Sequence, residues 1–132
     1  MKKGFHAPIE SDTKNNNDFR RVLYTSAHMQ LVLMSLAPGE DIGKEVHEDN
    51  DQFFRFEEGQ GTVVVGETTY PVGDGDTVIV PAGTEHNVMN TGSASLKLYT
   101  IYAPAHHKDG IVRATKQEAL DHEEEFDGAT SE

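Results

Sequence analysis

The feature that most constrains this chain is a series of short apolar runs cut apart by glycine. "RVLYTS", "MQLVLMSLA", "DQFFRFEE", "GTVVVGE", "TTYPV", "TVIVPA" and "SLKLYTIYA" are rich in β-branched and aromatic residues. Between them stand "APGED", "EEGQG", "VGDGD", "PAGTE" and "NTGSAS", each a turn signal. Evenly spaced short strands with glycine-rich turns fold into an antiparallel sandwich or barrel, so the chain is expected to be all-β. One helix is expected, in "ATKQEALDHEEE", where Thr115 and Glu118 have the spacing of a capping box.

The strand-forming part runs from residue 19 to 112. Residues 1–18, "MKKGFHAPIESDTKNNND", are polar and read as an N-terminal arm, with Phe5 and Ile9 available to dock on a partner subunit. Residues 113–132 hold the short helix and an acidic tail. A length of 132 residues is that of one domain with one core.

Charge narrows the partners. The chain has 23 acidic residues against 11 lysines and arginines, a net charge of −12. That balance opposes nucleic acid and anionic membrane surfaces, which are held through clustered cations. With no cysteine, no leader-like start and no membrane-length apolar run, the chain is expected to be a soluble, cytoplasmic protein.

Histidines are the best candidate ligands, and there are seven. His6 and His122 fall in the polar ends, and His28 in a turn. His106 and His107 lie in the loop "APAHHKDG", where they can cover a pocket mouth without ligating. His47 and His86 have more telling surroundings. On a strand, residues i and i+2 point the same way, about 6.5–7 Å apart, so Glu45 and His47 project together. A turn through "EDND" lets Gln52 enter from the next strand, with Phe54 and Phe56 on its face as an apolar lining. His86, after "VPAGTE", reaches them if the sheet curls into a barrel.

This spacing resembles the two motifs of the cupin superfamily. Gly39, five residues, position 45, one residue, His47, four residues, position 52, six residues and Gly59 make the first motif. Gly75, five residues, Pro81, one residue, Gly83, two residues, His86, three residues and Asn90 make the second, fifteen residues later. The resemblance implies a cupin-type antiparallel β-barrel, or jelly roll, often dimeric. It also implies metal ligands at Glu45, His47, Gln52 and His86, where cupins usually carry His, His, Glu and His. The single carboxylate of the usual set has moved from the third position to the first, so the charge of the site is kept.

Two imidazoles, a carboxylate and an amide oxygen suit one divalent transition metal, Mn, Fe, Ni, Co or Zn. The function expected is that of a small metalloenzyme acting on a sugar or uronate-like small molecule. The metal would serve as Lewis acid, with Glu45, Tyr99 or Tyr102 in acid–base steps. An Fe(II) dioxygenase and a non-catalytic binding module are the alternatives, since the fold hosts all three. Glu48, Asp49 and Asp51 read as a charged rim with Lys44 and Arg55 as the nearby cations, which disfavours a phosphorylated substrate. Asn90, Pro81 and the motif glycines read as turn architecture.

Overall fold

The computed structural model describes residues 1–132. Nine strands and two short helices follow in order: α1 (Ile9–Asn15), β1 (Arg20–Thr25), β2 (Gln30–Leu36), β3 (Asp51–Glu58), β4 (Gly61–Val65), β5 (Thr68–Val72), β6 (Thr77–Val80), β7 (His86–Asn90), β8 (Leu96–Ala103), β9 (Val112–Arg113) and α2 (Lys116–Asp121). A six-stranded sheet has the order β6-β3-β8-β2-β1-β9, and a three-stranded sheet the order β5-β4-β7. Every strand pairing is antiparallel. The all-β jelly roll expected from the sequence is the fold observed.

Alternation along the strands fills the space between the sheets. Val32, Met34 and Leu36 of β2, Phe54 and Phe56 of β3, and Leu96 and Leu98 of β8 join Val63, Val88 and Val80 in one buried cluster. At one end this inner layer turns polar. Gln52 pairs with Tyr102 across β3 and β8, and Tyr102 pairs with Gln30 across β8 and β2. All three side chains are buried, so a row of polar groups crosses the sheet where the strands meet the site.

Segment 39–45 closes that end by running beside β7 as an irregular extra strand. Gly39 N donates to Asn90 O, Ile42 N to Val88 O and Glu45 N to His86 O. The four motif glycines, 39, 59, 75 and 83, all have positive φ. At Gly59 a Cβ would also stand 2.6 Å from Ser95 O, so the tight approach of β3's end to the β7–β8 turn requires a residue without one. Asn90 donates to Leu36 O and Ala94 O and accepts from Gly92 N, a turn-bracing role.

The expected C-terminal helix is present, with Thr115 Oγ1 accepting from Glu118 N at 3.1 Å, but it ends at Asp121. The N-terminal arm departs from its reading as a polar lead-in. It contains a second helix, α1, that packs over β8 and β3. Few apolar residues mark α1 because its anchor is polar: buried Lys97 of β8 donates to Asn16 O and, at 3.0 Å, to Asn17 Oδ1. Phe5 stacks on Tyr24 of its own chain, ring centroids 5.1 Å apart. No helix is long and apolar enough to cross a membrane.

Candidate metal centre

Glu45 and His86 face each other as a hydrogen-bonded antiparallel pair, exchanging both backbone bonds at 2.9 and 3.0 Å. Residues so paired project their side chains to the same face. His47, two residues beyond Glu45, is tied down by Gly83 N donating to its carbonyl at 2.9 Å. One ligand atom from each of Glu45, His47 and His86 falls within 4.8 Å of the others.

His47 Nε2 lies 2.7 Å from Glu45 Oε2, yet it is buried and makes no well-directed hydrogen bond. Donor atoms that share one ion at about 2.1 Å each stand about 3 Å apart, close to this separation. His86 is oriented by its other nitrogen. Nδ1 is 3.0 Å from Thr84 O, and because a carbonyl can only accept, Nδ1 carries the proton and Nε2 is left with a free lone pair. That backbone contact is the usual outer support of a metal-binding imidazole.

Gln52 enters from β3 as its motif position requires. Its Nε2 donates to Thr100 Oγ1 at 3.0 Å, and Thr100 in turn donates to Phe53 O at 2.9 Å. The amide is thereby oriented, and its Oε1 is buried without a partner. Three buried side-chain nitrogen or oxygen atoms in the whole chain lack a partner: His47 Nε2, Gln52 Oε1 and Arg20 Nε. Unpaired buried polar atoms are rare because each forfeits its hydration. The Glu45, His47 and His86 donor set fits a divalent ion, which would satisfy the unpaired His47 Nε2.

The two tyrosines separate by strand parity. Tyr102 is buried on the inner face, edge-on to His47 with ring centroids 5.6 Å apart. Tyr99, three residues earlier, is on the outer face against Phe53, and β8 does not bring it to the cluster. Burial, and then the charge of Glu45, push the Tyr102 phenol above its ordinary pKa, so it keeps its proton at neutral pH. Burial works to raise the Glu45 carboxyl, but contact with His47 and the charges of His47, Arg20 and His86 hold it below its usual value. Burial also lowers His86, with His47 contributing, which favours the neutral, ligating form.

Three residues near the site escape a reading by motif. His106 stacks against Tyr102 at 5.3 Å and lies 4.2 Å, ring to ring, from His47. His107 is buried, with Nε2 3.2 Å from the Tyr102 hydroxyl. Both are fixed by Gln30, whose Oε1 accepts from the backbone N–H groups of 106 and 107. Arg20, at the start of β1, lines a cavity together with Glu45, His106 and His107. The nearby cations expected at the rim are instead led by Arg20, while Arg55 is engaged with Glu57 at 2.9 Å.

Residues 32–102, more than half of the chain, match the Cupin domain family. The chain is a cupin. The uncharacterized protein YrkC of Bacillus subtilis is 48% identical to it over 124 residues, covering 89% of this cupin and 67% of that protein. The crystal structure of BH2720 from Bacillus halodurans superposes with a TM-score of 0.89 at 47% identity, covering 91% of this chain and 96% of that one. The TT1209 protein from Thermus thermophilus is more distant, at 30% identity and a TM-score of 0.58 over 64% of this chain and 84% of its own.

Proposed function

We propose that this cupin is a divalent-metal enzyme in which Glu45, His47, His86 and Gln52 hold one ion of Mn, Fe, Ni, Co or Zn. Its substrate is a small oxygenated molecule, sugar- or uronate-like, on which a proton is moved. The observation that carries this reading is the convergence of three ligand atoms within 4.8 Å, with His86 Nδ1 already committed to Thr84 O. When bound, the ion supplies Lewis acidity toward a substrate carbonyl or hydroxyl.

The chain's own groups divide the remaining work. Glu45 borders the adjoining cavity of about 150 Å³ and is ionised, so it is the group placed to take a proton from a molecule bound there. Tyr102 keeps its proton and serves as a hydrogen-bonding wall, joined to His107. His106, held neutral first by burial and then by His47, closes the cavity floor beside the cluster. Tyr99 has no part in this scheme.

A second reading, an Fe(II) dioxygenase, is favoured by one feature: two histidines and a single carboxylate are the minimal set for that chemistry. Elemental analysis of protein purified without a chelating tag, followed by assays on the loaded protein, tests both. Epimerisation or ring opening of sugars and uronates without oxygen uptake supports the first. Fe(II)-dependent oxygen consumption with a small dicarbonyl supports the second. No metal above trace and no melting shift with any of the five ions contradicts both. The homodimer belongs to the same proposal, and light scattering after size exclusion tests it.

A further inference from the structure

Arg20 is the one arginine of this molecule without a carboxylate partner. Val22 is buried and Arg21 exposed, so strand alternation turns Arg20 inward with Val22. Its neighbour Arg21 is ion-paired with Asp18 outside. Arg20 has no carboxylate within ion-pairing distance and no hydrogen-bond acceptor, and its Nε is buried. Its guanidinium lies over the Phe19 ring, 5.3 Å from the centroid. Burying Nε without an acceptor is unfavourable, and a forked donor of this kind fits a carboxylate in bidentate fashion.

The space before Arg20 is the cavity of about 150 Å³, which Glu45, His106 and His107 also line. Ala119 and Leu120 of α2 contribute apolar wall. Its other cations are already used: Arg113 is 3.2 Å from Glu124, and Lys116 is 2.5 Å from Asp41. Glu123 and Glu125 add negative charge to the same lining. One free guanidinium among acids suits a singly charged carboxylate and opposes a doubly charged phosphate.

We propose that Arg20 binds the carboxylate of a small organic acid in this cavity, with the rest of the molecule directed toward Glu45 and the metal centre. The acidic substrate deepens the proposed function and rests on it for the direction in which the molecule lies. The Arg20 contact itself does not need the metal. Arg20 acts as a binding residue that sets specificity for acids.

Calorimetric titration of the metal-free and Mn-loaded protein with lactate, pyruvate, pyruvamide and inorganic phosphate tests this. Binding of an acid is expected to be about 10- to 100-fold stronger than binding of its neutral amide, the range of a charged hydrogen-bonded contact. Arg20→Gln should lose the same factor, Arg20→Lys should recover part of it, and metal uptake by Arg20→Gln should not fall below the parent's. Equal affinity for pyruvate and pyruvamide in the unaltered protein would overturn the proposal without recourse to any variant. So would phosphate binding more tightly than the acids, or Arg20→Gln binding acids as well as the parent. A protein that takes up no metal yet binds acids through Arg20 removes the metal reading and leaves this one standing.

Discussion

His47 Nε2 and Glu45 Oε2 stand 2.7 Å apart without hydrogen-bond alignment, and His86 joins them from the facing strand. If an ion holds these atoms together, Glu45→Gln removes a charged ligand. The fall in Mn or Zn affinity should exceed the 10- to 100-fold, roughly, that follows loss of an outer-shell partner. Competition titration against a metal indicator measures it. Unchanged affinity would show that Glu45 is not a ligand.

Gln52 depends on Thr100 for its orientation. Thr100→Val leaves Gln52 Nε2 buried and unpaired, a loss of about 1–3 kcal/mol in stability. Metal affinity should fall with it, since the amide is then free to turn. Urea unfolding and metal titration on the same variant separate the two effects. A stability loss with intact metal affinity would remove Gln52 from the ligand set.

Acidification should weaken the fold through His107. Burial foremost, then the charges of Arg20, His106 and His47, holds this histidine well below its ordinary pKa. In an unfolded chain it protonates near pH 6.5, so below that the unfolded state takes up a proton that the folded state refuses. Stability therefore falls as pH drops from about 6.5, by at most about 1.4 kcal/mol per unit for this group, and is level above about pH 7.5. His106 and His86 are lowered as well and add losses of the same sign. Urea midpoints of metal-free protein at pH 7.5 and 5.5 should differ less in His107→Gln than in the parent. Equal differences would contradict the assignment.

At Gly59, φ is +95° and an added Cβ would meet backbone atoms of Ser95 and Leu96. Gly59→Ala should cost at least about 1–3 kcal/mol, read as a lowered melting temperature. A neutral result would mean that the β7–β8 turn can move aside.

Spacing along the chain carried the Glu45, His47 and His86 cluster. Glu45 and His47 differ by two positions, and the pairing of Glu45 with His86 then follows from where segment 39–45 meets β7. Motif glycines and Asn90 were legible for the same reason, because turns demand particular residues locally. Arg20 was not, since its inward direction depends on the register of β1, which a bulge interrupts between Val22 and Tyr24. The approach of His106 and His107 depends on Gln30, 76 and 77 residues away, gripping their backbone. Helix α1 is held by Lys97 rather than by an apolar stripe, so periodicity carried no signal of it. Tyr99 and Tyr102 looked equivalent until strand parity divided them.

The central claim is that one ion sits where Glu45, His47, Gln52 and His86 converge. Crystals grown with Co(II) or Mn(II), with anomalous scattering recorded at the metal edge, test it most directly. The account predicts one strong anomalous peak per chain, within about 2.0–2.3 Å of Glu45 Oε2, His47 Nε2 and His86 Nε2. A map with no peak at that point, or with its peak at the acidic rim of Glu48, Asp49 and Asp51, would contradict it.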